Sequence, residues 1–153
     1  MAGAGFYAIE NNEIRFGRDG RWYADGHVIA NQRIADLFSQ HVRRRPDGGY
    51  MLRIADEQAP IVVEDTPYVV TGVAPEADDS LWLELNDHSR ERLEPNSLRI
   101  GDGDVLYCRV KGGGEPARFL RPAYYQFAQH CVVAPSGAVT LRLASGDYPL
   151  ARG

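Results

Sequence analysis

Lysine is almost missing from this chain: of its 17 basic residues only Lys111 is one, and the rest are arginines. That bias points to a GC-rich bacterial genome and to nothing chemical. Cysteine is scarce as well. Cys108 and Cys131 match no zinc or redox spacing, so reduced thiols and a cytoplasmic protein are expected. Four histidines with no tight ligand spacing give no reason to expect a metal or a cofactor. No apolar run approaches the roughly 18 residues of a membrane-spanning helix. The opening MAGAGFYAIENNE lacks a basic region followed by an apolar stretch, so it does not read as a signal peptide. There is no Gly-x-Ser-x-Gly, and Gly112-Gly113-Gly114 is not followed by the Gly-Lys-Ser/Thr of a phosphate loop, so it reads as a hairpin loop. An excess of positive charge is absent too. The net charge of −4 argues against nucleic acid as a partner.

What the chain does contain is an internal repeat. Phe38 to Ile61 and Phe127 to Leu150 align without a gap at a constant offset of 89. Nine of the 24 positions are identical, among them Phe38/Phe127, His41/His130, Gly48/Gly137, Leu52/Leu141 and Arg53/Arg142. Unrelated segments would share about one or two. Upstream, Ile14 to Tyr23 lies on Leu98 to Tyr107 at an offset of 84, sharing Arg15/Arg99, Gly17/Gly101 and Tyr23/Tyr107. Charge is partitioned along the chain: residues 1–61 are neutral, 62–97 carry −7 and 98–153 carry +3.

Local patterns fill in the elements. Phe6 to Ile9 reads as a short strand or a helical turn. Ile14-Arg15-Phe16 alternates as a strand, Asp19-Gly20 turns it, and Trp22-Tyr23 returns. Asn31 is placed to cap a helix whose apolar face runs Ile34, Leu37, Phe38 and His41/Val42, with Arg43 to Arg45 at its negative end. Strands follow at Tyr50 to Ile54, Ile61 to Val63, Tyr68 to Thr71 and Leu81 to Leu85. Residues 88–97 read as a connection. In the second copy, Pro122 starts a helix with Tyr124, Phe127, Ala128 and Cys131 inward. The expected fold is α+β: two duplicated ββαββ units at 1–73 and 98–153, each one helix on a small antiparallel sheet, joined by a strand and acidic linker at 74–97.

One unit of about 45–50 residues buries too little to be secure alone, so the two copies are expected to cover each other, with a cleft at their seam. Glu64 and Asp65 are adjacent in a strand and face opposite ways, so they do not form an acid/base pair; capping or pairing with an arginine is expected. Cations Arg109, Lys111, Arg118 and Arg121 bracket the glycine loop, either as a solvated surface or as an anion pocket. Arg53/Arg142 read as sheet-surface cations, and His41/His130 as helix-end residues bonded to backbone.

Taken in order, Asp19-Gly20-Arg21-Trp22-Tyr23, Val63-Glu64-Asp65-Thr66-Pro67-Tyr68, Tyr107-Cys108-Arg109-Val110-Lys111-Gly112-Gly113, Arg121-Pro122-Ala123-Tyr124-Tyr125 and Gly146-Asp147-Tyr148-Pro149-Leu150 resemble the bacterial domain of unknown function 1285 (DUF1285) family. The resemblance runs over nearly the full length from Ile14. It departs at the loop, where an extra glycine and Glu115-Pro116 intrude. It implies a duplicated α+β fold whose second half is superficially like a pleckstrin-homology domain. It also implies a binding or signalling role centred between the halves, with no established activity.

A non-enzymatic binding or regulatory module is therefore the first expectation. Its site would be lined by Glu64, Asp65, Tyr68, Arg109, Lys111, Arg118 and Tyr125, with a protein or a small polar or anionic ligand as partner and no catalytic residue. The alternatives are an enzyme of unrecognised type acting on a small anionic substrate, with Asp65 or His130 as base, and a homodimer built through edge strands.

Overall fold

The structure, a computed structural model, describes residues 12–153, and Phe6 to Ile9 lies outside them. The chain divides into two units, Met1–Pro67 and Tyr68–Gly153. Two helices and several sheets among the described residues make it an α+β protein.

In the N-terminal unit, β1 (Ile14–Phe16) buries Ile14 and Phe16, and Gly20, at φ +80°, turns the chain into β2 (Trp22–Ala24) and β3 (His27–Val28). The Asn31 side chain accepts from the Ile34 N–H at 3.2 Å and starts α1 (Gln32–Gln40). The helix stops earlier than its apolar pattern suggests. His41 leaves helical geometry at φ −124°, and its Nδ1 lies 2.7 Å from the Leu37 carbonyl oxygen. The residues after it are claimed by a strand instead: β4 (Val42–Arg44) pairs with β5 (Tyr50–Ile54), Val42 opposite Leu52. Arg43 and Arg44 are thus strand residues, and no cation occupies the last helical turn. β6 (Glu57–Val63) runs antiparallel to β5 and parallel to β1, giving the sheet order β3-β2-β1-β6-β5-β4. Its core gathers Phe16, Trp22, Phe38 and Leu52.

The second unit opens with β7 (Tyr68–Pro75), so the break expected after residue 73 falls inside a strand. Leu81–Leu85 is a strand, as its alternation suggests, and the stretch read as a connection at 88–97 adds another beside it. β8 (Leu81–Leu85) and β9 (Arg90–Arg92) extend the sheet, Leu81, Leu83 and Leu85 are buried, and Arg90–Glu76 (2.8 Å) and Arg92–Asp78 (2.7 Å) tie the charged ends together. Then come β10 (Arg99–Ile100), β11 (Leu106–Val110), β12 (Glu115–Phe119), α2 (Arg121–Ala128), β13 (Cys131–Val133), β14 (Val139–Leu143), β15 (Gly146–Pro149) and β16 (Ala151–Arg152). One sheet is ordered β16-β10-β11-β12-β7-β8-β9 and the other β13-β14-β15. In α2 the buried residues are Ala123 and Phe127; Tyr124, expected inward, is 39% exposed.

Strand registers recur at the offsets of the sequence repeat. Val42↔Leu52 and Met51↔Pro60 have counterparts 89 residues on in Cys131↔Leu141 and Thr140↔Pro149. The parallel pairs Arg15↔Val62 and Phe16↔Val63 answer to Arg99↔Ala151 and Ile100↔Arg152. The Arg53 N–H donates to the His41 carbonyl at 3.1 Å, and the Arg142 N–H to that of His130 at 2.9 Å. Among the described residues, α1 has three strands on either side, not the two expected, while α2 follows six strands of its unit and precedes four. The added ones, β3, β4 and β13 among them, are too short to show an alternation.

Gly17 and Gly101 are kept because an aromatic ring lies on each. A Cβ on Gly101 would stand 2.9 Å from Tyr107 Cε2, and one on Gly17 would stand 3.0 Å from Tyr23 Cε1. The Tyr107 ring is itself held under the Arg99 guanidinium at 4.3 Å. Gly101→Ala should therefore cost about 1–2 kcal/mol by overpacking, and adding Tyr107→Leu should recover most of it in urea unfolding.

Candidate functional site

The seven residues expected to line a site fall into separate settings. Glu64 caps and pairs as expected: Oε1 accepts the Arg18 N–H at 3.0 Å, and Oε2 lies 3.6 Å from Arg15 Nη1. Asp65, half-buried, follows it in the N-terminal unit. In the C-terminal unit Tyr68 and Lys111 meet, the ammonium 5.0 Å from the ring centroid. Arg109 and Arg118 share a sheet face on β11 and β12, since Tyr107 faces Arg118 and Arg109 faces Pro116. Arg109 Nε donates to the Gly113 carbonyl at 3.0 Å. Tyr125 is 59% exposed on α2, beside the Tyr124 ring.

Lys111 is engaged by acids that no local pattern links to it. Its Nζ donates to Asp87 Oδ2 at 2.6 Å and to Ser89 Oγ at 3.0 Å, and its backbone N–H donates to the Glu91 carboxylate. Burial pushes the Asp87 carboxyl up, but hydrogen bonds from Lys111 and from the Ser89 hydroxyl and N–H outweigh it and hold the group below its ordinary 3.8. Lys111, Gly112 and Gly113 all have positive φ, at 56°, 70° and 84°. The glycines satisfy the tight β11–β12 hairpin.

One concave feature of the C-terminal unit is apolar and was not read from the sequence. It is a cleft of about 220 Å³ among Ile100, Leu106, Phe127, Ala128, Cys131 and Val139, with Asp104 and Arg152 also lining it. Arg152 Nη1 bonds Asp104 Oδ1 at 2.9 Å, and both side chains are more than half exposed. Burial pushes the Cys131 thiol up to about 11 and the Cys108 thiol to about 12, Cys108 with a smaller push from Glu91. The corresponding positions of the N-terminal unit are filled. Trp22 is 1% exposed, 4.8 Å from the Phe16 ring and edge-on to Phe38 at 5.5 Å, and its Nε1–H donates to Ser39 Oγ at 2.9 Å. Where that unit has Phe16, Trp22, Ser39 and Tyr50, the other has Ile100, Leu106, Ala128 and Val139. The signal lay in the repeat itself, in positions where a bulky residue of one copy becomes small in the other.

Residues 7–66 match the family model described as the N-terminal domain of DUF1285, a domain of unknown function. The N-terminal unit belongs to the DUF1285 family. The whole chain resembles the crystal structure of a DUF1285 family protein from Silicibacter pomeroyi DSS-3, with a TM-score of 0.69 and 23% identity over 92% of this chain and 80% of that one. It also resembles one from Shewanella baltica OS155, with a TM-score of 0.62 and 20% identity over 78% of this chain and 93% of that one. At these identities the likeness is one of fold. No functionally curated protein matches. Among the described residues, no helix is long and apolar enough to cross a membrane, and no group of three or more His, Cys, Asp or Glu is placed to hold a metal ion.

Proposed function

We propose that this DUF1285 protein is a non-enzymatic binding module made from two copies of one βββαβββ unit, the first filled and structural, the second carrying the ligand. The observation that carries this reading is the apolar cleft of the second unit beside Ile100, Leu106, Ala128 and Val139, where the first unit has the larger Phe16, Trp22, Ser39 and Tyr50. The copy reading is supported by the shared registers. The non-enzymatic reading is supported by thiols held protonated at neutral pH and by a lysine engaged by Asp87. Lys111 and Tyr68 then serve as framework. Arg109, Arg118 and Tyr125 are the proposed contacts for a protein partner from the second unit, and Glu64 and Asp65 those from the first. The pleckstrin-homology likeness is supported no further than a largely antiparallel unit of two sheets with one helix.

Hydrogen exchange of the full chain with and without a bacterial small-molecule extract tests the reading. Protection is expected in α2, β13 and β14. Exchange unchanged throughout those elements, with every extract fraction, would overturn it. A signalling role requires that protection to extend to backbone beyond the cleft, and the same experiment reads it.

A further inference from the structure

The two copies finish their sheets with different edges. β4 and β13 hold the same place in the repeat, and each ends its sheet, paired on one side only, with β5 and with β14. Both are three residues long, Val42-Arg43-Arg44 in one and Cys131-Val132-Val133 in the other. A charged edge resists pairing with another chain, whereas an apolar one invites it.

In β4 the backbone edge is also covered. The Arg45 N–H donates to the Gly49 carbonyl, and the Arg53 N–H to that of His41, so these residues bond inward and Val42 turns its backbone outward. Arg43 Nη1 reaches back and donates to that outward Val42 carbonyl at 2.8 Å. An incoming strand would have to displace it. β13 keeps the same phase without the cover. The Ala134 N–H donates to the Ala138 carbonyl, and the Arg142 N–H to that of His130, which turns the backbone of Cys131 and Val133 outward. Val132 has no donor with which to occupy the Cys131 carbonyl. Val132 and Val133 are 43% and 65% exposed, and with Tyr124 and Tyr125 on α2 they make four of the six large apolar side chains exposed among the described residues. Exposed apolar surface is thus concentrated beside the open backbone.

We propose that two copies of this chain associate through β13, antiparallel, about a twofold axis at Val132. That register sets Cys131 of each copy against Val133 of the other, where the outward groups exchange both backbone hydrogen bonds, and Val132 against itself. No charged side chain of the strand meets its like. The same operation on β4 would set Arg43 against Arg43, a destabilising pair, so the two edges differ in the one property that self-pairing requires. This self-complementarity favours a second copy over an unrelated strand. Cys131 and Val133 also line the apolar cleft, so Val133 of the second copy comes to its mouth beside Cys131. The pairing does not rest on the cleft taking a ligand. A contact this short makes a weak dimer, formed at high protein concentration.

Sedimentation equilibrium of the full chain, up to about 1 mM, tests the proposal and should show a monomer passing into a dimer. Val132→Arg with Val133→Arg gives β13 the edge of β4 and should weaken association at least about tenfold, with urea unfolding unchanged. Should that variant fail to fold, crosslinking decides. In a Cys131→Ser background, Val132→Cys should form a disulfide-linked dimer with diamide, because Cα atoms of a non-hydrogen-bonded pair stand about 4.5 Å apart. Val133→Cys in the same background should link far more slowly. Equal linking of the two would overturn the register. A chain still monomeric at about 1 mM, or association that the arginine pair leaves unchanged, would overturn the pairing. A capped peptide of alternating valine and threonine that shifts the β13 amides of a chain remaining monomeric would make this an edge for foreign strands, and would overturn the second copy as occupant.

Discussion

Trp22→Ala should cost about 3–5 kcal/mol of stability, the range for emptying a large aromatic position in a packed core. Trp22 is 1% exposed, lies between Phe16 and Phe38, and satisfies Ser39, itself 4% exposed. Removal therefore opens a cavity and takes one hydrogen-bond donor away from a buried hydroxyl, two losses that add in the same direction. Trp22→Phe keeps much of the ring packing and should cost much less. Urea unfolding with hydrogen exchange resolved by unit checks both: the loss should be confined to β1, β2, α1 and their neighbours. A cost below about 1 kcal/mol for the alanine variant would mean that the N-terminal unit does not depend on this side chain, and the contrast between a filled and an open copy would lose its meaning.

How far the chain could be read in advance depended on the range of the interactions involved. Asn31 was legible because an N-cap needs only the next three residues, and its bond to Ile34 is of that kind. The hairpins at Leu52 and Leu141 were legible because the repeat aligns their turns, Pro46/Pro135 and Gly48/Gly137, with the strands that follow. β4 and β13 were not. Val42 belongs to a strand only because Leu52 lies opposite, and Arg43-Arg44 reads equally well as a helix end. Within 74–97 the strand Leu81–Leu85 was legible from its alternation, whereas β9 was not: Arg90 and Arg92 pair with Glu76 and Asp78 in space, while along the chain they look solvated. Lys111 looked like an anion contact because Asp87 is 24 residues away. The cleft needed a different use of the repeat. Identities locate a shared framework, whereas Trp22 against Leu106 and Tyr50 against Val139 locate the place where the copies diverge in volume.

Lys111→Met should cost about 2–3 kcal/mol near neutral pH, in the range for depriving a largely buried charged group of its hydrogen-bond partner. Methionine keeps an unbranched stem near Tyr68 and inherits the same positive φ of 56°, so backbone strain is nearly matched and the comparison isolates the ammonium. What it leaves behind is Asp87, with a side chain only 10% exposed, still bonded to Ser89 but without its cation. The pH dependence separates charge from packing. The carboxyl of Asp87 sits below its ordinary 3.8 in the folded protein, so its contribution is complete above that value and is lost as the pH falls through the lower folded value. In the variant the bond and charge of Lys111 are gone while burial remains, so protonation of Asp87 becomes easier and the deficit against the parent should narrow as the pH drops into the acid range. Asp87→Asn added to Lys111→Met should recover part of the loss at neutral pH, since the amide needs no counter-charge. A deficit that stays constant from neutral pH down to about pH 3 would assign the effect to the contact with Tyr68 and not to the ion pair. A deficit that narrows would instead show the glycine-loop lysine holding the β11–β12 hairpin to the turn between β8 and β9 through Asp87 and Ser89.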